Sequence, residues 1–318
     1  MKNRKFIPLI LLLSFACSSY GMKKTTKQEQ FVSLGLVKGL KLVEIIGESK
    51  LGSSSLYLPT GIAIDLLGNI FISDTGNDRV VKCTKEGRFL AETGGFGWEA
   101  GEFNRPTYIA TDNGLNVYVV DAQNKRIQRF DQNLNFVSII EIKEEGRFSG
   151  FGLLEGIAIT SSGEILVSDI EGDFLIKSNS FFEYERTLGG LGSVEGGLRD
   201  PKGVSVSQGG NVYVADSQND RVVIFDAFGN FLKSLGEKIL KNPNGITVGQ
   251  DQLIYVANTG KNSLVIFDPD GKVILEYGSS EQKMANLSRP TDLKLGKENK
   301  LFVVDSGNNR ILVFELLR

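Results

Sequence analysis

Pro201-Lys202-Gly203-Val204-Ser205-Val206, Val212-Tyr213-Val214-Ala215-Asp216, Arg221-Val222-Val223-Ile224-Phe225 and Phe231-Leu232-Lys233-Ser234-Leu235 follow one another within one short stretch, and their reading decides the fold. Each run is short and rich in Val, Ile, Phe or Tyr, as half-buried or buried strands are. The segments between them are turn chemistry: Gln208-Gly209-Gly210, Ser217-Gln218-Asn219-Asp220 and Asp226-Ala227-Phe228-Gly229. In the last, Gly229 stands where a hairpin wants a positive φ. The stretch therefore predicts four short antiparallel strands, a to d.

The second of these runs recurs. Ile70–Asp74, Val117–Asp121, Ile165–Asp169, Val212–Asp216, Ile254–Asn258 and Leu301–Asp305 are six copies of it, their last residues spaced by 47, 48, 47, 42 and 47. A period of 40 to 50 residues with several strands per unit is the signature of propeller blades. Six units in an open array would leave bare edge strands at both ends. The termini answer this. The sixth unit stops at Arg318 after its strand c, while Leu42-Val43-Glu44-Ile45-Ile46-Gly47 matches the strand d pattern of Phe231–Gly236. The expectation is an all-β, six-bladed β-propeller over residues 41–318, with four-stranded blades and the N-terminal strand completing the last blade.

Two motifs recur with the period. Pro-x-Gly opens strand a at Pro59, Pro201 and Pro243. Asp-x-x-Asn-x-Arg follows strand b at Asp74/Asn77/Arg79, Asp121/Asn124/Arg126, Asp216/Asn219/Arg221 and Asp305/Asn308/Arg310. On these the chain resembles NHL-repeat propellers. Two units depart from the pattern: the third has Leu154-Glu155-Gly156 and lacks both Asn and Arg after Asp169, and the fifth has Asn258, Lys261 and Ser263 in the motif places. Short Asp and Asn side chains satisfy turn N–H groups, and Arg offers a planar fork to a carboxylate, so the motif reads as structural.

Lys2, Arg4 and Lys5, an apolar run from Phe6 to Ala16, then Cys17-Ser18-Ser19 give the basic, apolar and small-residue order of a secretory signal. We expect residues 1–21 to be that signal and 22–40 a polar tether. Two cuts fit. One before Met22, with Ser19 and Gly21 at −3 and −1, would give a free soluble protein. One before Cys17 fits because Leu13-Ser14-Phe15-Ala16-Cys17 resembles a lipobox with Ser14 where leucine is usual, which would put a lipid on Cys17 as the protein's only membrane attachment. The expected location is the periplasm or cell envelope. Removing residues 1–16 takes away three bases and no acid, leaving 33 basic against 38 acidic side chains. That balance opposes nucleic-acid binding, which needs clustered Lys and Arg. With Cys17 set aside, Cys83 has no intrachain disulfide partner; it aligns with Phe130, Phe225, Phe267 and Phe314 as a core position. The chain contains no histidine, which removes Ser–His triads, His metal ligands and His general bases.

Function on a symmetric scaffold must be written where the units differ. The residues after the strand-a proline position, Thr60, Thr107, Glu155, Lys202, Asn244 and Thr291, are expected to ring one mouth of the channel, with Tyr108 and Asp292 replacing the neighbouring glycine. Glu155, Asn244 and Asp292 are hard oxygen donors suited to Ca²⁺ or Mg²⁺. The resemblance implies that the face built from b–c turns and inter-blade loops meets a partner, a protein, peptide or glycan; here it would carry Trp98, Phe103, Arg105, Phe148, Phe151, Arg199 and Arg289. Trp98 could equally pack its own loop. The expected function is a non-catalytic binding or scaffold module without a cofactor. The alternative is a divalent-metal-dependent hydrolase or lyase resembling lactone hydrolases, with the metal at the channel mouth.

Overall fold

The computed structural model describes residues 37–112, 115–141, 152–190, 195–278 and 286–318. The signal expected over 1–21 with Cys17, most of the tether, and Phe148 and Phe151 lie outside the described residues.

A first strand, β1 (Gly39–Ile46), precedes the blades. Blade one is β2 (Gly61–Ile64), β3 (Ile70–Asp74), β4 (Arg79–Cys83) and β5 (Phe89–Gly94); blade two is β6 (Pro106–Thr111), β7 (Asn116–Asp121), β8 (Arg126–Asp131) and β9 (Phe136–Ile140). Blade three is β10 (Leu154–Ile159), β11 (Ile165–Asp169), β12 (Phe174–Ser178) and β13 (Tyr184–Gly189); blade four is β14 (Pro201–Val206), β15 (Val212–Asp216), β16 (Arg221–Phe225) and β17 (Phe231–Leu235). Blade five is β18 (Ile246–Val248), β19 (Ile254–Asn258), β20 (Ser263–Phe267) and β21 (Val273–Tyr277), and β22 (Pro290–Leu295), β23 (Lys300–Asp305) and β24 (Arg310–Leu317) belong to blade six. Every sheet has four antiparallel strands, and the sixth is ordered β1-β24-β23-β22.

The ring therefore closes as the termini suggest. β1 runs antiparallel to β24, from Gly39 opposite Leu317 to Ile46 opposite Ile311, with a bulge between Leu42 and Glu44. The strand starts before the expected boundary at residue 41. Val37 is already buried, and the Lys38 N–H donates to the Leu317 carbonyl at 2.7 Å, so the chain enters the propeller within the segment assigned to the tether.

Burial follows from strand position. β3, β11, β15 and β19, second in their blades, are buried along their whole length, as fits apolar strands packed on both faces, whereas the outermost β5, β9 and β13 are largely exposed. The core is accordingly six apolar slabs, one per seam between neighbouring blades. At the closing seam Phe302, Val304, Ile311 and Val313 of blade six meet Ile62, Ile70, Ile72, Val81 and Cys83 of blade one. Cys83 is fully buried at the end of β4, where four other blades place phenylalanine, and burial pushes its thiol up to about 12.

The motif aspartate is the hub of each blade. Its carboxylate, or the Asn258 amide oxygen in blade five, accepts the backbone N–H of the inter-blade loop in all six: from Tyr57, Asn104, Gly152, Arg199, Lys241 and Ser288 at 2.7–2.8 Å. In blades one, two, four and six the second oxygen takes the motif Arg Nε at 2.7–2.8 Å and the Asn amide at 2.8–2.9 Å. Blade five has lost charge on both sides: Asn258 gives its amide to Ser263 Oγ at 3.1 Å. Blade three keeps Asp169 without an arginine and fills its second role with the amides of Glu171 and Gly172.

A further motif position links neighbouring blades. Asp78, Asp173, Asp220, Asn262 and Asn309 each accept the N–H of a left-handed residue in the next blade, respectively Arg105, Asp200, Asn242, Arg289 and Leu58, at 2.7–2.8 Å. Lys125 takes this place in blade two and pairs instead with Glu171 of blade three.

Candidate functional site

The loop after β5 is held from below by the blade-two motif. Arg126 donates to the carbonyls of Trp98, Glu99 and Glu102 at 2.7–2.9 Å, and Asn124 to that of Gly97 at 2.9 Å. Phe103 is wholly buried against Phe130, ring centres 5.7 Å apart. It anchors the loop from inside and is no part of a partner-binding surface, which corrects the expectation for it. Trp98 is 65% exposed, and beside it Phe96, 61% exposed, meets the indole edge-on at 5.1 Å. Sequence reading passed over Phe96. The signal was a large aromatic set between Gly95 and Gly97, two positions before Trp98.

Arg105, Arg199 and Arg289 stand on the same face, built from inter-blade loops, each exposed beyond its hydrogen-bonded backbone. Arg105 alone among the three reaches the channel mouth: its guanidinium pairs with Glu155 at 2.8 Å, the acid buried and the base 41% exposed.

The residues expected to ring the mouth are tied into the seams between blades. Thr107 Oγ1 donates to the Glu155 carbonyl at 3.1 Å and Thr291 Oγ1 to the Thr60 carbonyl at 2.8 Å, tying blade two to three and six to one. The Asn244 carbonyl accepts the Gly203 N–H at 2.8 Å between blades four and five, and Lys202 pairs with Asp200 at 3.7 Å. The glycine beside this ring has a steric cause: a Cβ on Gly203 would come within 2.5 Å of the Asn244 carbonyl, and one on Gly245 within 2.5 Å of the Asp292 Cα.

The two exceptions to that glycine are the chemical centre of this mouth. Tyr108 of blade two reaches past blade one, and its hydroxyl donates to the Thr291 carbonyl of blade six at 3.0 Å. It spans the mouth like a bolt. Burial pushes its phenol well above the usual tyrosine value, with Asp292, Glu155 and Asp200 adding to the rise. Asp292 is buried, its oxygens accepting the Ile62 and Leu293 amides at 3.0 and 2.8 Å. Burial lifts its carboxyl above the usual range, while Lys294 and the two amides pull the other way. Two of the three hard donors singled out for a divalent cation thus carry prior engagements, Glu155 with Arg105 and Asp292 with two amides, while Asn244 is tied to blade four through its backbone carbonyl. Among the described residues no three His, Cys, Asp or Glu side chains stand close enough together to hold a metal ion.

Comparison with known proteins agrees with this architecture. Residues 198–225 and 287–314, in blades four and six, match the NHL repeat. The chain is 30% identical over 146 residues, 45% of its length, to 13% of Protein brain tumor of Drosophila melanogaster, and 27% identical over 141 residues to 16% of the B-box type zinc finger protein ncl-1 of Caenorhabditis elegans. It therefore spans less than a fifth of either relative. Among solved structures it is similar to virginiamycin B lyase from Staphylococcus aureus, at TM-score 0.55 and 14% identity over 88% of this chain and 89% of that one. A variant of that lyase with one histidine replaced by alanine is described as catalytically inactive. It is also similar to a chain of the nidogen–laminin complex, at TM-score 0.59 and 17% identity over 70% of this chain and 80% of that one. These likenesses are of fold: the chain is a six-bladed β-propeller carrying NHL repeats.

Proposed function

We propose that this chain is an exported binding or scaffold module of the cell envelope that recognises a protein, peptide or glycan through the loop face centred on Phe96 and Trp98. The Phe96–Trp98 pair carries the reading: two large aromatic side chains are left mostly in water on a loop whose backbone is pinned by Arg126 and Asn124. Rigid aromatic anchors are what recognition surfaces use, because burying them on binding releases water at small entropic cost. The chain also resembles a propeller found in a protein–protein complex. The basic, apolar and small-residue order of the first 21 residues supports export, with a lipid on Cys17 as the attachment. Mass measurement of the mature N-terminus checks that part.

The binding test is affinity capture from envelope extract and on glycan arrays with the wild type, F96A, W98A and, as a control elsewhere on the surface, F228A. The expected result is one set of ligands kept by F228A and lost by both loop variants. Ligands retained by F96A and W98A alike would remove this face from contention.

A second reading, divalent-metal-dependent hydrolysis or lyase chemistry at the channel mouth, has one observation in its favour: Glu155 and Asp292 are buried near the same phenol, that of Tyr108. Bound there, Ca²⁺ or Mg²⁺ would polarise a carbonyl or activate water. The lyase in the comparison depends on a histidine, and this chain has none. Calorimetry with either ion tests it; no heat and no shift in melting temperature would end it.

A further inference from the structure

The opposite end of the channel presents different chemistry. Strand a of each blade lines the bore, and at one register position it carries Ala63, Ala110, Ala158, Ser205, Thr247 and, in blade six, Lys294. Five of these side chains are small and the sixth carries an ammonium. An inner cavity of about 190 Å³ is walled by Ala63, Ala110, Ala158, Ser205 and Lys294. It shares Ile64, Thr111, Ile159 and Leu295 with a wider vestibule of about 770 Å³ that opens between the a–b turns. Together they fall in the size range of small-molecule sites.

The charges around this mouth are accounted for, with one exception. Asp65 and Asp112 hold the amides of their own turns, Asp251 pairs with Arg318 at 2.7 Å, Glu298 with Lys85 at 3.2 Å, and Lys297 donates to the Leu66 carbonyl at 2.6 Å. Lys294 has no hydrogen bond or ion pair among the described residues. Asp292, two residues up the same strand, attracts it but spends its own oxygens on the Ile62 and Leu293 amides. A half-buried ammonium walled by methyl groups gains strongly from an anion that can shed water and meet it there.

We propose that the channel, entered from the a–b turn face, binds a small organic carboxylate whose anionic head pairs with the Lys294 ammonium, while Ser205 and Thr247 offer hydroxyls to the rest of the molecule. The site lies across the ring from Phe96 and Trp98 and is independent of what they bind.

The test is reductive ¹³C-methylation of the intact protein's lysines, with the Lys294 resonance assigned by its loss in K294R and K294M, followed by titration with acetate at constant ionic strength and, in parallel, with inorganic phosphate and chloride. The expected result is a saturable shift of the Lys294 signal with acetate, larger than that of any other lysine. Filling the bore by A110L, which leaves the amine in place, should abolish that shift. A Lys294 signal that moves without saturating, in step with the surface lysines, would overturn the proposal. So would a response to phosphate or chloride as strong as to acetate, or an acetate response unchanged in A110L.

Discussion

Replacing the Asp216–Arg221 pair of blade four by the pair that blade five carries, D216N with R221S, should cost far less than the sum of the two single changes, each of which destabilises the protein. Asp216 is fully buried; it takes Arg221 Nε at 2.8 Å, Asn219 Nδ2 at 2.9 Å and the Arg199 N–H at 2.7 Å. D216N turns a donor toward two donors and leaves Arg221 without its counter-charge. R221S leaves a buried carboxylate without its cation. Breaking a buried pair by removing one partner costs about 3–5 kcal/mol, and because Arg221 keeps 21% of its side chain in water the lower end, about 3 kcal/mol for each single variant, is expected. Blade five shows the neutral solution: Asn258 still accepts the loop amide of Lys241 at 2.7 Å and hands its own amide to Ser263. The double variant still leaves the Asn219 amide facing the new amide, where blade five has Lys261, so it should lie about 1–2 kcal/mol below wild type, far short of the roughly 6 kcal/mol sum of the single costs and a coupling well beyond the ~0.5 kcal/mol within which independent sites add. Burial holds the Asp216 carboxyl above its usual value despite Arg221, Asn219 and the Arg199 amide. A carboxyl raised in the folded state contributes most below its unfolded value, and that contribution is lost as pH rises through the folded value. Wild type should therefore gain on the double variant as pH falls from 7 toward 4. Urea unfolding followed by far-UV circular dichroism at both pH values measures all of this. Single-variant costs that simply add in the double variant would refute the reasoning.

Removal of residues 37–46 strips the outer strand from blade six and exposes Leu312, Phe314 and Leu316; the loss of ladder hydrogen bonds and apolar burial should cost at least about 5 kcal/mol, and an unchanged melting temperature would contradict the closure. F103A should cost about 3–5 kcal/mol in urea unfolding while W98A stays within about 0.5 kcal/mol of wild type, because one ring is fully buried and the other 65% exposed. Cys83 should resist iodoacetamide at pH 8 until the chain unfolds. Its thiol is raised to about 12 from an ordinary value of 9.0, so its contribution to stability is complete below pH 9 and falls away as pH climbs toward 12, which unfolding midpoints between pH 8 and 11 would show.

The framework was legible because it repeats. Six copies of an apolar run ending in Asp or Asn, with Gly and Asn in the turns, specify strand, turn and period together, and each copy reinforces the others. The closing strand was legible because blade six lacks a fourth strand and Leu42–Gly47 supplies one. Features fixed by long-range geometry were not. Phe103 and Trp98 are aromatic residues five apart in one glycine-rich loop, and nothing local says that the first turns inward onto Phe130 while the second stays in water. Tyr108 replaces a glycine, which marked it as unusual, but its reach past blade one to Thr291 depends on the width of the ring. The link from Asp78, Asp173, Asp220, Asn262 and Asn309 to the next blade was visible as a recurrent Asp or Asn just before strand c, and was missed because motif reading stopped at the neighbouring Asn and Arg.

The positions that break the repeat fall into two kinds, and physics separates them. Where charge is lost on both sides, as at Asn258 and Ser263, the substitution is self-compensating and calls for no ligand. Where a bulky or charged group replaces a small one and the blade does not neutralise it, the departure has to be answered elsewhere. Tyr108 is answered within the chain, by a carbonyl two blades away, and the cost of burying its hydroxyl is offset by one hydrogen bond across the mouth. Lys294 has no such answer among the described residues, and neither does the exposed pair of Phe96 and Trp98. Among the described residues, the symmetric ring thus leaves Lys294 in its bore and the Phe96–Trp98 pair on its loop face without an answer from the chain itself. On the two proposals made above, an outside molecule at either place would lower the free energy of the fold rather than compete with it.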